Sequence, residues 1–127
     1  YNFGDLGEFI RIKNEDTLAI AQIERRTAVE NLEEIISVPG IDVALIGPED
    51  LSLSYGLPGQ TNHPTVVEAI QKVIDISIEA GVAPGIHMGS IERLSEWSDK
   101  GMQVIMYNSD LGFLLEGAES GVKALKS

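Results

Sequence analysis

Short apolar runs alternate with amphipathic helical stretches four times along this chain, and few folds accept that order. The runs at 17–24, 43–46, 82–88 and 103–107 have strand length and are dominated by apolar residues. Each is followed by apolar positions at helical spacing. Ala28, Leu32, Ile35 and Ile36 form the first stripe, and Val66, Ile70, Val73 and Ile74 the second. A third helix is predicted over 91–100, and a fourth carries Leu111, Leu114, Leu115, Ala118, Val122 and Leu125. Continuously apolar strands separated by amphipathic helices specify a parallel sheet covered by helices.

Local signals punctuate the units. Thr27 with Glu30 and Thr65 with Glu68 have the spacing of capping boxes. Pro39-Gly40, Gly81 and Gly101 stop the first three helices. Residues 49–64 read as a polar connection with turn residues Leu57-Pro58-Gly59 and Thr61-Asn62-His63-Pro64. A short helix over 6–12 is expected to lead into the first strand, and Pro84 and Gly85 make the third strand irregular.

Two parallel architectures compete. An open doubly wound sheet usually carries a Gly-rich turn after its first strand, but here that turn is Glu24-Arg25-Arg26-Thr27. A (β/α)₈ barrel needs about 250 residues for eight units. Four units in 127 residues is half of one. The expected fold class is therefore α/β, half of a TIM barrel, in one partial domain over 1–127. Tyr1 stands where Met would open a chain, so the N-terminus is either processed or part of a longer protein.

Charge narrows the function. Nine Lys plus Arg against 20 Asp plus Glu give a net charge of −11. Such a field repels phosphate backbones and anionic lipid, which argues against nucleic-acid and membrane-surface partners. It is also a background that welcomes a divalent cation. The chain has no Cys, which removes thiol catalysis and thiolate metal sites. No apolar run approaches the ~18 residues of a membrane span and no signal peptide opens the chain, so the cytoplasm is the expected location.

In parallel α/β folds, chemistry gathers at the C-terminal ends of the strands. Glu24 and Asp50 end the first two, and Gln22 shares a face with Glu24. Two converging carboxylates repel unless one is protonated or a hard cation lies between them. The alternative is that Glu24 pairs with Arg25 or Arg26 and that Asp50 is a helix N-cap. The turn Gly47-Pro48-Glu49-Asp50-Leu51-Ser52 would present consecutive amides to an anion, or would simply end a strand. His63 reads as a solvated loop residue. His87, near the end of the third strand, would face the site if it points inward, although a lone His is more often structural. Trp97 and Tyr107 read as packing residues without aromatic companions at binding spacing. No Ser-His-Asp pattern is present, and Lys13, Lys72, Lys100, Lys123 and Lys126 lie on or beside helices, which disfavours imine chemistry.

Several segments together carry a resemblance: Ala21-Gln22-Ile23-Glu24, Glu30-Asn31-Leu32-Glu33-Glu34-Ile35, Val38-Pro39-Gly40-Ile41-Asp42, Ile46-Gly47-Pro48-Glu49-Asp50-Leu51-Ser52, Asn62-His63-Pro64 and Ala83-Pro84-Gly85-Ile86. In this order and spacing they resemble the HpcH/HpaI aldolase family, the metal-dependent class II pyruvate aldolases. The resemblance implies the C-terminal half of a (β/α)₈ barrel, units five to eight. It implies Mg²⁺, Mn²⁺ or Co²⁺ held by Glu24 and Asp50, and backbone amides of Glu49 and Asp50 on the carboxylate of a 2-oxo acid. Gln22 would lie in the polar shell, and His87 would stand where the aldehyde pocket is lined. The implied reaction cleaves a 4-hydroxy-2-oxo acid to pyruvate and an aldehyde, in a homo-oligomer, a trimer or hexamer.

The resemblance also marks what is missing. The family's catalytic His and its keto-polarising Arg come from the other half of the barrel. His63, His87, Arg25, Arg26 and Arg93 do not match them. The chain is therefore expected to be an inactive fragment by itself, awaiting an N-terminal half. Met106-Tyr107-Asn108-Ser109-Asp110 departs from the usual Gly- and Val-rich strand end. A related Mg²⁺-dependent lyase of the citrate lyase β-subunit or malyl-CoA lyase type is the alternative enzyme. A non-catalytic half-barrel binding a metal and a 2-oxo acid is the alternative of another class.

Overall fold

A computed structural model describes residues 5–126; both ends of the expected 1–127 domain, Tyr1 to Gly4 and Ser127, lie outside the described residues. The chain runs α1 (Leu6–Glu15), β1 (Ile20–Ile23), α2 (Arg26–Glu30), α3 (Leu32–Ile36), β2 (Val43–Ile46), α4 (Pro48–Ser54), α5 (Pro64–Ala80), β3 (Ala83–Met88), α6 (Ile91–Asp99), β4 (Val104–Tyr107) and α7 (Asp110–Lys126).

The four strands form one parallel sheet in the order β1-β2-β3-β4. Crossovers between parallel strands are right-handed, so an order that never reverses sends every connecting helix to the same face. That is barrel winding, not double winding. In register, Gln22, Leu45, Gly85 and Val104 lie side by side on one face. Ile23, Ala44, Ile46 and Ile86 lie on the other and join the core with Val66, Ile70, Val73 and Ile74 of α5. The first face is the one a closed barrel would turn inward. Its edges are open here, with Ile20 and Met106 both exposed.

α5 shows why the helices form where they do. Val66, Ala69, Ile70, Val73, Ile74 and Ser77 repeat at three- and four-residue spacing and all are buried. Gly81 ends the helix at φ 74°, a left-handed conformation that glycine adopts without a Cβ penalty.

The predicted caps are corrected at both sites. Pro64 occupies the first turn of α5, where its missing N–H costs nothing. The N-cap therefore moves back to His63, whose Nδ1 accepts from the Thr65 amide at 3.3 Å. After β1 the expected single helix divides at Asn31 (φ −103°, ψ 20°), whose Nδ2 donates to the Thr27 carbonyl at 2.9 Å. Thr27 lies inside α2, and Glu30 pairs with Arg26 at 2.7 Å instead of closing a box. The expected polar connection also begins with a helix: α4 buries Leu51 and Ser52.

α7 buries none of its described residues, and Leu114 and Leu125 are 71% and 89% exposed. α1 likewise buries none. No helix among the described residues is long and apolar enough to cross a membrane.

Candidate active site

Of the residues singled out at the strand ends, Glu24 and Asp50 line one cavity with Gln22 bonded to Glu24, while His87 lines another. Gln22 on β1 donates from Nε2 to Oε2 of Glu24 at 2.6 Å, as alternation along the strand requires of neighbours on one face. Gly47 lies beside them on the next strand end. A Cβ built there would sit 3.4 Å from Gln22 Nε2, 3.6 Å from Glu24 Cβ and 3.8 Å from Glu24 Oε2. A methyl there would touch both groups at ordinary contact distance, so the glycine keeps that contact from being made. Glu24 and Asp50 line one cavity of about 490 Å³ with Arg25, Arg26, Thr27 and Ser54.

Neither competing assignment of these carboxylates is seen among the described residues, where Glu24 forms no ion pair with Arg25 or with Arg26. Arg26 turns to Glu30, and that hydrogen bond and charge raise the pKa of its guanidinium. Gly47, not Asp50, is the N-cap of α4, and no side chain caps this helix. Asp50 sits in the first turn with Glu49. Their amides lack intrahelical acceptors, as at every helix start.

Two carboxylates on one cavity wall suit a hard divalent cation, which takes oxygen ligands and keeps positions for water and substrate. Among the described residues no group of three or more His, Cys, Asp or Glu gathers to hold a metal. A pair is nonetheless a sufficient protein contribution for Mg²⁺-type sites, where one or two carboxylates are joined by substrate oxygens.

His87 follows Gly85 by two residues on β3 and so shares its face of the sheet. Its Nε2 is 2.8 Å from the Asn108 carbonyl oxygen. It lines a second cavity, of about 220 Å³, with Pro48, Glu49, Gly89, Asn108 and Ser109. Glu49 therefore faces this cavity while Asp50 faces the first. His63 caps α5 and belongs to neither. Trp97 is buried in the core as expected, with Lys100 Nζ 4.4 Å from its ring centroid. Tyr107 also packs against the core, but it does have an aromatic companion, Phe113, edge-on at 5.4 Å.

In the sequence Arg25 stands only as an alternative partner of Glu24, and Asn108 only within a strand end that departs from the family pattern; neither is assigned a place in a cavity wall there. Asn108 has φ 56°, rare for a residue other than glycine, and an Asn at a strand end was the available signal.

The sequence profile of the HpcH/HpaI aldolase/citrate lyase family matches residues 6–116. A 4-hydroxy-2-oxo-heptane-1,7-dioate aldolase from Salmonella typhimurium is 36% identical over 113 residues, covering 89% of this chain and 43% of the relative. Two crystal structures share the fold. An HpcH/HpaI aldolase from Desulfitobacterium hafniense DCB-2 superposes with a TM-score of 0.85 at 31% identity, over 97% of this chain and 48% of that one. An HpcH/HpaI aldolase/citrate lyase family protein from Burkholderia cenocepacia J2315 gives 0.89 at 30% identity, over 98% and 49%. The chain thus spans about half the length of the relatives it matches.

Proposed function

Because the chain belongs to the HpcH/HpaI aldolase/citrate lyase family, we propose that it carries the metal-binding half of a class II aldolase site. The reaction converts a 4-hydroxy-2-oxo acid into pyruvate and an aldehyde. The shared cavity of Glu24 and Asp50 is the observation that carries this reading.

In the cleavage direction the C3–C4 bond breaks and its electron pair passes to C3 as the pyruvate enolate. The 4-hydroxyl loses its proton as C4 becomes the aldehyde carbonyl, and C3 then takes up a proton to give pyruvate. Glu24 and Asp50 would hold Mg²⁺, Mn²⁺ or Co²⁺. A divalent cation bound there supplies Lewis-acid stabilisation of the negative charge that develops on the keto oxygen.

The remaining roles belong to the chain. Gln22 fixes one oxygen of Glu24 and so sets the direction in which the carboxylate points. The amides of Glu49 and Asp50 orient the substrate carboxylate, which would otherwise meet two acidic side chains. His87 borders the aldehyde half. No group on this chain is assigned the proton transfers, which are left to the half of the barrel that the relatives possess beyond the matched region.

The open faces support the same assembly. β1 and β4 are the outer strands and present unpaired edges. No described residue of α7 is buried, and Leu111, Leu114, Leu115 and Val122 are exposed. We assign the edges to the remainder of the barrel and α7 to a second copy in a homo-oligomer. The test is pyruvate release by the intact gene product from a 4-hydroxy-2-oxo acid with Mn²⁺. Activity is expected, and its loss in Glu24→Gln. Full activity in that variant would refute the assignment.

A further inference from the structure

We propose that His87 is a specificity-determining residue that accepts a hydrogen bond from a hydroxyl group on the aldehyde half of the substrate; this rests on the aldolase reading above. The substrate class is then a 2-oxo acid with a hydroxylated, uncharged tail, not a plain alkyl or anionic one.

Position comes first. Ile23, Ile46 and Ile86 are side by side in register, so the positions following them, Glu24, Gly47 and His87, form the next layer. Neighbouring strands lie about 4.8 Å apart, which puts His87 two strand widths, roughly 10 Å, from Glu24. Gly47 between them offers no side chain. A substrate whose 2-oxo-acid end is held at Glu24 and at the Glu49 and Asp50 amides would extend past Gly47 towards the cavity that His87 lines.

Hydrogen bonding then decides what His87 can offer. A carbonyl oxygen only accepts, so the 2.8 Å contact requires that Nε2 carry the hydrogen and donate it to Asn108. In the neutral ring the other nitrogen is left with a lone pair. Nδ1 is thus an acceptor, and what it selects is a donor such as a hydroxyl. Glu49 on the same cavity wall is a carboxylate, which repels an anionic tail. A neutral hydroxyl satisfies both walls.

The partner that fixes the ring is itself held. Asn108 Nδ2 donates to Glu116 at 2.9 Å, and its Oδ1 accepts from the Ser109 amide at 2.8 Å. Its own amide donates to the Met88 carbonyl at 3.2 Å. Gly112 on α7 makes room for that side chain, because a Cβ there would overlap Asn108 Oδ1 and lie 2.6 Å from Cγ. Gly112 is accordingly a positioning residue, distant from the substrate.

The test measures Mn²⁺-dependent addition of pyruvate to glycolaldehyde and to propanal by the intact gene product. The two aldehydes have the same number of heavy atoms and differ by a hydroxyl in place of a methyl. Their intrinsic reactivities cancel when variant and wild type are compared. In His87→Leu the ratio of kcat/KM values, glycolaldehyde over propanal, is expected to fall about tenfold, the scale of one neutral hydrogen bond. His87→Gln, whose amide can both donate to Asn108 and accept, should recover most of it. Gly112→Ala should lower the ratio in the same direction by displacing Asn108. An unchanged ratio in His87→Leu, or loss of both reactions together, overturns the specificity role and leaves the aldolase assignment standing. Failure of the wild type to use either aldehyde overturns both.

Discussion

Replacing Gly47 by alanine separates the needs of the backbone from those of the site. The residue has φ −103° and ψ 92°, which any L-residue adopts, so no strain is introduced. Restricting the unfolded chain should stabilise by about 0.4–1 kcal/mol. Against that, Gly47 is an N-cap, where alanine is worse than glycine by about 0.5–1 kcal/mol. The new methyl would meet Gln22 and Glu24 at 3.4–3.8 Å, ordinary contact distances. These contributions nearly cancel, and the stability of the metal-free protein should change by less than about 0.5 kcal/mol. The site does not escape so lightly, because the methyl would pack against Glu24 and its hydrogen-bond partner Gln22. Changes among groups that orient a ligand commonly cost 10–100-fold in metal affinity. At a Mn²⁺ concentration of about 100 times the wild-type Kd, binding stabilises the fold by ~2.7 kcal/mol, and a tenfold loss leaves about 1.4 kcal/mol. Urea unfolding with and without Mn²⁺ reads both quantities. A large drop in metal-free stability, or an undiminished response to Mn²⁺, would show that Gly47 does not serve the site in this way.

Other variants probe the packing and the open surfaces. Ser77 is fully buried on α5 and its hydroxyl finds no hydrogen-bond partner among the described residues, so Ser77→Ala should stabilise by about 1 kcal/mol in thermal unfolding. A Cβ on Gly85 would lie 3.0 Å from Leu45 Cδ1 and 3.1 Å from Val104 Cβ and Val43 Cγ1. Gly85→Ala should therefore cost about 1–3 kcal/mol in urea unfolding. Leu114 is 71% exposed on α7, so Leu114→Glu should leave the fold intact by circular dichroism. If α7 docks on a second copy, light scattering should report a smaller assembly for that variant.

Much of this architecture was legible in the residues because the local signals agree with the global fold. Val43–Ile46 is apolar throughout and lies in the middle of the sheet, buried at every position. α5 has both a single apolar stripe and a glycine stop. The signals that misled were those where one residue type serves two purposes. Gly47-Pro48 reads as a turn, yet proline is equally at home in the first turn of a helix, and α4 starts there. Thr27 and Thr65 had box spacing, but Arg26 claimed Glu30 and Pro64 moved the cap to His63. At the site, strand alternation placed Gln22 beside Glu24, and Asp50 lines the same cavity as Glu24. Asn108 was hidden because its role depends on Gly112 and Glu116, four and eight residues ahead on α7, and on His87 across the sheet.

In the proposed site Glu24 and Asp50 together hold the cation on which C–C cleavage depends. The most direct measurement is Mn²⁺ titration, by calorimetry and by pyruvate release, of the intact gene product and of Glu24→Gln and Asp50→Asn. Both side chains are nearly isosteric with the originals, and each removes one charge. Either variant should weaken Mn²⁺ binding by at least about tenfold, and turnover should fall with it. Wild-type Mn²⁺ affinity and turnover in both variants would contradict that assignment.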